Sequence, residues 1–150
     1  MAFSDKVIAR GPEINDFLPQ RSPMLMIDTI ISCSDKTTKT SFKILPENIF
    51  LRDGFLAEPG IIENIAQTAA AGLGYSIKKN IPGKNVPIGV IGGIKDLKIY
   101  FLPETGTEIK TEVTVIYEVL NASVINGKVF SENRMVADCE MKIFLNDGSN

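Results

Sequence analysis

PGIIENIAQTAAAGLGYSIKK, the stretch from Pro59 to Lys79, predicts one long helix around which the rest of the chain folds. Lys78 and Lys79 suit its last turn, next to the negative end of the helix dipole, and Pro59 suits its first. Because apolar residues and glycines cover much of its surface, we expect the helix to be buried. Its apolar side chains recur every three or four residues, as on a helix face: Ile62, Ile65, Ala66, Ala69, Ala70, Leu73 and Ile77.

Small and polar residues interrupt this apolar helix. Glycine inside a helix lowers stability by up to about 1 kcal/mol relative to alanine, so Gly72 and Gly74 predict that another part of the chain packs closely there. Glu63 and Gln67 lie four residues apart on one face. A carboxylate among apolar neighbours must be hydrogen-bonded, paired or protonated. Glu63 is therefore either a partly solvated residue favoured by the helix dipole or the carboxylate of a functional site.

The composition is ordinary for one globular domain: 150 residues, of which 44% are apolar and 23% charged. The net charge of −2 argues against nucleic-acid binding, which needs a basic face. No run of about 20 uncharged apolar residues is present, so we expect no membrane span. The first residues lack the apolar core of a secretory signal. We therefore expect a single cytoplasmic domain over residues 1–150.

The chain contains no histidine and two cysteines, Cys33 and Cys139. Without histidine, Ser-His-Asp and Cys-His nucleophile systems and histidine-based metal sites are excluded. The cysteines lie far apart in strand-like runs, which indicates buried free thiols rather than a disulfide framework or a metal site. Any acid–base chemistry must use carboxylates, tyrosine, lysine, cysteine or bound water.

The segment before the helix predicts one hairpin. Residues 12–18 can form one or two helical turns, and the two prolines of LPQRSP that follow indicate an extended connection. Residues 24–33 and 37–44 predict two strands joined by a turn at residues 34–36. Residues 45–58 carry proline, asparagine and Asp-Gly signals and predict a loop.

The segment after the helix predicts further antiparallel strands. Residues 86–91 and 94–101 read as two strands separated by Gly92-Gly93, where we expect a bulge or bend. Residues 107–119 alternate and predict the longest strand. Asn126-Gly127 predicts a hairpin turn between two shorter strands.

Residues 135–145 predict the closing strand. The predicted order is then a β-hairpin, one long helix, and three or four antiparallel strands, with no repeat and no linker that would divide the chain. A single antiparallel sheet wrapped around one apolar helix buries that helix and leaves the other sheet face in water. We therefore predict an α+β fold.

Three segments in this order resemble motifs of the 3-hydroxyacyl-acyl-carrier-protein dehydratases. Residues 18–28, LPQRSPMLMID, resemble their LPHRxPxLLVD opening; residues 63–67, ENIAQ, resemble E-A-M-A-Q; and residues 91–109 resemble their strand–turn block ending in P-G-D. FLRDG followed by ENIAQTAAA is most similar to the divergent branch found with aryl-polyene-type pathways. The resemblance implies the hotdog fold, an antiparallel β-sheet wrapped around one long central α-helix.

The same resemblance implies roles for two carboxylates. In the family, the histidine of a G-H-F-P loop removes the α-proton of the substrate, and the helix carboxylate handles the β-hydroxyl. Asp53 stands about where that histidine belongs, and Gln20 replaces the histidine of LPHR. The implied catalytic pair is Glu63 as acid and Asp53 as base. The alternative for Asp53 is a plain turn with Gly54.

Substrate-binding roles are expected at four further positions. The backbone N–H groups of Gly60 and Ile61 are placed to hold the thioester oxygen at the helix start. Gln67 either orients Glu63 or bonds nearby backbone, and Gly54 is expected to contact the substrate beside the base. Arg52 is expected to be solvated or to pair with a carboxylate rather than to bind a carrier phosphate.

Three functions remain open at this point. The first is dehydration of 3-hydroxyacyl thioesters in fatty-acid or polyene-type biosynthesis. The second is thioester hydrolysis, which needs only a carboxylate and water, and the third is a non-catalytic acyl-binding subunit paired with an active relative. We expect the substrate to arrive on acyl carrier protein or coenzyme A, without a bound cofactor or metal. Since the fold leaves a sheet edge exposed, we expect at least a homodimer with the acyl tunnel between subunits.

Overall fold

The helix predicted around residues 59–79 is the centre of the fold. The computed structural model describes residues 7–146, and in it α1 spans Glu58–Asn80. The prediction is confirmed to within one residue at each end. Pro59 lies in the first turn, and Lys78 and Lys79 lie in the last.

The strands of one large sheet pack against α1. A 3₁₀ helix, Gly11–Asp16, lies in the segment where one or two helical turns were expected. Within the described residues the strands are β1 (Ala9–Arg10), β2 (Thr29–Cys33), β3 (Thr37–Lys43), β4 (Leu51–Arg52), β5 (Phe55–Leu56), β6 (Ile88–Ile99), β7 (Glu108–Val119), β8 (Ala122–Ser131) and β9 (Arg134–Asn146).

Seven of these strands form one sheet in the order β1-β2-β3-β7-β8-β9-β6, and β4 and β5 form a separate pair. Every neighbouring pair is antiparallel. The helix side chains Ile61 and Ile65 are fully buried and share one core with Val129 and Met141 of the sheet. The predicted architecture, one antiparallel sheet wrapped around one long helix, is confirmed.

The predicted hairpin at Asn126-Gly127 is wrong. Gly127 lies in the middle of β8, where it pairs with Val113 on one side and Cys139 on the other. A Cβ on Gly127 would come within 2.5 Å of Ile65. The glycine is therefore explained by the close approach of α1 to β8 and not by a turn. The strand ends instead at turns that contain Leu120 and, at the other end, Glu132 and Asn133, all with positive φ.

The helix glycines mark close packing, as predicted. At Gly74 a Cβ would collide with the backbone carbonyl of Phe17, and at Gly72 it would collide with the Thr38 side chain. The segment before β2 is therefore held directly against the second half of α1.

The strand predicted over residues 24–33 is shorter than expected. Its second half is β2, whereas residues 24–28 lie outside the strand. The carbonyl of Met24 and both backbone groups of Met26 bond side-chain amides of α1 instead of another strand. Since those backbone groups find partners on the helix, the segment does not need a sheet neighbour.

β6 joins the two strands predicted on either side of Gly92-Gly93. The predicted irregularity is confirmed, because the register with β9 shifts between Ile91 and Gly93. β6 is an edge strand of the sheet, and several of its apolar side chains are exposed: Ile88, Val90, Ile94 and Leu97. The longest strand is β9 with 13 residues, not β7 with 12.

Candidate functional site

A cavity of about 570 Å³ lies between α1 and the sheet. This volume is within the range of small-molecule sites. Along the helix it runs from Glu63 to Asn80, 17 residues apart, which corresponds to roughly 25 Å of helix. Small helix residues form one wall, and apolar side chains of the sheet line part of the facing wall: Ile91, Val113, Val115, Ile125, Ile143 and Leu145. Charged side chains also line the cavity: Asp35, Lys36, Lys79 and Glu118. Its length and walls suit an extended apolar chain.

Glu63 enters this cavity from the second turn of α1. It is half-buried, and its Oε1 accepts a hydrogen bond of 2.8 Å from Nε2 of Gln67. Among the described residues, none forms a hydrogen bond with its other carboxylate oxygen. One oxygen of Glu63 is thus held, while the other is free to meet a ligand.

Gln67 connects Glu63 to the segment before β2. Its Oε1 accepts from the backbone N–H of Met26 at 2.6 Å, and its Nε2 donates to the carbonyl of Met24 at 2.8 Å as well as to Glu63. Gln67 is 1% exposed. The sequence left two alternatives open for Gln67, a bond to nearby backbone or to the Glu63 carboxylate. In the structure Gln67 makes both. Binding of substrate by Gln67 itself stays a prediction.

Gln20 lines the same cavity, which sequence reasoning missed. Its side-chain oxygen is shielded from solvent and has no hydrogen-bond partner among residues 7–146. The signal was present in the sequence, since Gln20 replaces a histidine of the LPHR motif, but nothing in the sequence places it at the cavity that Glu63 also lines.

Gly60 and Ile61 are buried under the loop before the helix. Both of their N–H groups donate to the carbonyl of Ala57, at 2.9 and 3.3 Å, and neither residue lines the cavity. A Cβ on Gly60 would come within 2.6 Å of Leu56 and 2.8 Å of Phe50. The close packing explains the glycine, and a role in holding the thioester oxygen stays a prediction.

Asp53 and Gly54 form the turn between β4 and β5. Both have positive φ, 54° and 84°, as in a two-residue hairpin turn. Asp53 is exposed and does not line the cavity of its own chain, and the carbonyl of Gly54 accepts two hydrogen bonds from Thr105. The plain-turn alternative therefore describes their place in this chain, and their catalytic and binding roles stay predictions.

Arg52, next to this turn, pairs with Glu58 of α1. The guanidinium lies 2.9 Å from the carboxylate, and both side chains are about half exposed. The pKa of Glu58 is lowered by a hydrogen bond from its own backbone amide and by Arg52. The expected pairing of Arg52 with a carboxylate is confirmed.

Both cysteines are free thiols. Burial raises the pKa of Cys33, against a smaller opposite effect of a hydrogen bond from Thr38. Burial, with the nearby Asp138, raises the pKa of Cys139 to about 11. Cys33 is half-buried at the cavity wall, but a raised pKa disfavours the thiolate that a nucleophile needs.

A second polar cluster lies on α1 beside Glu63. Asn64 donates to the carbonyl of Met26 at 2.8 Å and accepts from Thr111 of β7 at 2.5 Å. Thr68 bonds the carbonyl of Asn64 at 2.8 Å and the hydroxyl of Thr40 at 2.7 Å. All four side chains are buried. This cluster joins helix, strands and the segment before β2, and it leaves no side-chain group free.

Among residues 7–146, no helix is long and apolar enough to cross a membrane. The same residues contain no group of three or more histidine, cysteine or acidic side chains that could hold a metal ion.

An antiparallel sheet wrapped around one long helix, with a carboxylate in the cavity beside it, defines a protein of the hotdog-fold class. The family model described as ApeP-like, ApeP dehydratase, matches residues 12–150. The chain belongs to this family of dehydratases, which are hydro-lyases.

Curated relatives agree with this assignment. The chain is 29% identical over 132 residues to the 3-hydroxyacyl-(acyl-carrier-protein) dehydratase FabZ of Koribacter versatilis, covering 84% of this chain and 82% of the relative. It is 25% identical over 134 residues to the FabZ of Ruminiclostridium cellulolyticum, covering 87% and 92%. In structure it is similar to the dehydratase heterocomplex ApeI:P from Xenorhabdus doucetiae, with a TM-score of 0.81, 16% identity, and coverage of 88% of this chain and 90% of that chain.

Proposed function

We propose that this chain dehydrates 3-hydroxyacyl thioesters, carried by acyl carrier protein or coenzyme A, with Glu63 as the acid. The observation that carries the proposal is the state of the Glu63 carboxylate. One oxygen is fixed by Gln67, and the other is open to a cavity that is partly lined by apolar side chains. The relatives' activity on 3-hydroxyacyl-(acyl-carrier-protein) supports the choice of reaction over thioester hydrolysis.

The reaction needs one proton removed and one supplied. A base takes a proton from C2, the electron pair of that bond forms the C2–C3 double bond, and the C3–O bond breaks. Protonated Glu63 gives its proton to the departing hydroxyl, so the products are an enoyl thioester and water. The proton taken from C2 returns to Glu63 through the base and solvent. A positioned acid of this kind contributes typically 10²- to 10⁴-fold to the rate.

Asp53, the base that the family resemblance implies, does not line the cavity of its own chain. Asp53 is exposed at a turn, so it can act only at the cavity of a second subunit. The exposed apolar edge of β6 supports association with such a subunit. Our first candidate is therefore a homodimer in which Asp53 of one chain faces Glu63 of the other.

A second candidate is a heterocomplex whose other subunit supplies the base. The absence of histidine from the sequence favours it, and the similar ApeI:P structure is a dehydratase heterocomplex. In that arrangement this chain contributes the acid and the acyl cavity. The two free thiols fit a reducing cytoplasm in either case.

Product analysis separates these functions. The purified chain is incubated with a 3-hydroxyacyl and a saturated acyl pantetheine thioester, alone and with a co-encoded hotdog subunit that carries the loop histidine. An enoyl product indicates dehydration, a free thiol indicates hydrolysis, and no product in either case indicates a binding subunit. We expect Glu63→Gln to lower kcat of dehydration by roughly a hundredfold or more.

The variant Asp53→Asn distinguishes the two sources of the base. If the chain alone is active, the homodimer predicts that Asp53→Asn loses most of that activity. Unchanged activity in Asp53→Asn assigns the base elsewhere. Intact dehydration by Glu63→Gln would overturn the proposed site altogether.

A further inference from the structure

The cavity beside α1 changes in character along its length. Beside the first half of α1 its lining residues are half-buried and mostly small, and Leu73 is the last apolar residue that the helix contributes. Every exposed residue of the lining belongs to the last turns of α1, the turn between β2 and β3, the start of β6 or the end of β7. We call this exposed end the polar mouth, after its residues Asp35, Lys36, Ser76, Lys79 and Glu118.

The elements that form the polar mouth meet at one end of the fold. Thr38, near the start of β3, packs against Gly72 of α1. The carbonyl of Lys36 accepts a hydrogen bond of 2.8 Å from the backbone N–H of Val115 in β7. The turn between β2 and β3 therefore connects the second half of α1 to the last part of β7.

The charged groups of the polar mouth have no ion-pair partners among residues 7–146. The ammonium of Lys79 lies 6.0 Å from the centre of the Tyr75 ring, so a positive charge comes directly after Leu73. Covering unpaired charges with hydrocarbon removes their water without supplying a partner, which is unfavourable. An acyl chain in this cavity therefore gains from burial as far as Leu73 and gains nothing further at the mouth.

Helix geometry converts this change of lining into a length of acyl chain. Leu73 follows Glu63 by ten residues, or roughly 15 Å along α1. An extended hydrocarbon chain advances about 1.2 Å per bond, as an extended backbone does with about 3.5 Å for the three bonds of a residue. With C3 of the substrate beside Glu63, the apolar part of the cavity holds about 12 further carbons.

We propose that the polar mouth sets the length of acyl chain that this protein selects, at about 15 carbons, and that Lys79 is a specificity-determining residue. The proposal rests on the proposed function, since Glu63 marks the position of C3. Each methylene that enters an apolar site contributes up to about fourfold in affinity. The affinity should therefore rise with the length of the acyl chain until its end reaches the mouth, and stay level beyond that length.

A series of acyl lengths tests this limit. Isothermal titration calorimetry is carried out on the Glu63→Gln protein, in the assembly in which it purifies, so that no turnover occurs. The ligands are the even-numbered 3-hydroxyacyl pantetheine thioesters from hexanoyl to octadecanoyl. We expect the affinity to rise from hexanoyl to tetradecanoyl and to stay level, within about twofold, from hexadecanoyl to octadecanoyl. A level part that begins by decanoyl, or a rise that continues to octadecanoyl, would overturn the proposal.

Two neighbouring lysines provide a matched pair of variants. Lys79 lines the mouth, whereas Lys78 lies on the same turn of α1 outside the lining. We expect Lys79→Leu, which extends the apolar wall, to move the start of the level part by about two carbons towards longer acyl chains. Lys78→Leu should leave the profile unchanged. An equal shift in both variants, or a shift in neither, would contradict the assignment of the limit to Lys79.

The variant Ala69→Leu tests the direction of the acyl chain. Ala69 lines the cavity six residues after Glu63, roughly 9 Å along α1, so a larger side chain there should stop the rise in affinity at about 10 carbons. The hexanoyl ligand should bind as before, which a damaged fold would not allow. Equal weakening of every ligand would mean that the pantetheine arm passes Ala69 instead, and the proposal would be wrong. Failure of the proposed function looks different, because the Glu63→Gln protein would then bind none of the thioesters.

Discussion

Two pairs of polar residues on α1 differ in how fully they are hydrogen-bonded: Asn64 with Thr68, and Glu63 with Gln67, one position earlier in the chain. Asn64 and Thr68 turn towards the sheet, are fully buried and have partners for all their side-chain groups. Glu63 lines the cavity and keeps one oxygen open, while Gln67 is buried, is saturated and holds the other oxygen of Glu63. One pair therefore holds the fold together, and the other presents a reactive group.

The difference teaches how a buried polar residue can be assigned. A saturated cluster without access to a cavity is explained by the desolvation that its hydrogen bonds offset. A polar group at a cavity that has no hydrogen-bond partner within the fold does not stabilise the fold, so we expect a ligand to be its partner. Variants of the two pairs should consequently separate stability from activity.

The largest effect on stability is expected for Asn64→Leu. The change removes two hydrogen bonds and leaves the carbonyl of Met26 and the hydroxyl of Thr111 buried without partners. At about 1–3 kcal/mol for each unpaired buried group, we expect a loss of about 3 kcal/mol in the free energy of unfolding. Urea unfolding measures it. Thr111→Val, which removes one partner only, is the matched control and should lose about 1 kcal/mol.

Asn64→Leu also tests the comparison itself. If the folded fraction of this variant has lost dehydration as completely as Glu63→Gln, the division into a structural pair and a reactive pair is wrong. If its stability is unchanged, the buried cluster does not have the role that its hydrogen bonds indicate.

Gln67→Met should have an intermediate effect on stability and also lower activity, because Gln67 bonds both the segment before β2 and the carboxylate of Glu63. It loses two bonds to the segment before β2 and one to Glu63. We expect the free energy of unfolding to fall by about 2 kcal/mol and kcat to fall by about tenfold. Steady-state kinetics separate kcat from KM, and urea unfolding gives the stability.

A double variant shows whether Gln67 acts through Glu63. In a Glu63→Gln background, Gln67→Met should cause little further loss of kcat, since the carboxylate that it positions is already gone. Losses that multiply would mean that Gln67 touches the substrate directly, as the sequence also predicted.

The smallest effect is expected at the exposed Arg52–Glu58 pair at the start of the same helix. The pKa of Glu58 is lowered in the folded state, first by its own backbone amide and then by Arg52. A carboxylate with a lowered folded pKa contributes stability above its unfolded pKa and loses it as the pH falls through the folded value. The stabilisation by Arg52 should therefore be small at neutral pH and vanish below the ordinary pKa of 4.5.

Thermal unfolding of Arg52→Ala over a pH series measures this contribution. The Tm difference from the parent should shrink towards zero as the pH falls below that value. Lys84→Ala, at an exposed cation without an ion pair among the described residues, should show no such trend. A difference that persists in acid would assign the effect to packing of the Arg52 stem.

The fold was predictable where the signal is local. The period of apolar residues places α1 to within one residue, because helix spacing and end signals are properties of the segment itself. The hairpin predicted at Asn126-Gly127 was wrong, because the same dipeptide suits both a tight turn and a strand against which a helix packs closely. Only the position of Ile65 decides between them.

The candidate site was predictable in part. Glu63 and Gln67 were recognised from their motif; in the structure they share a hydrogen bond, and Glu63 lines a cavity. Gln20 could not be located, because it reaches the cavity through a segment that bonds α1 across more than 40 positions of the chain, as at Met24 and Gln67. The proposed catalytic role of Asp53 likewise requires a second subunit, because Asp53 does not line the cavity of its own chain.

The sequence by itself determined the central helix, its polar stripe, the alternating strands and the absence of histidine, since each is a pattern within a short stretch or a count. The tertiary structure decided which polar residues are saturated and which are open. That distinction depends on groups far apart in the chain, because a hydrogen bond is made or missed only when both partners have been brought within about 3 Å.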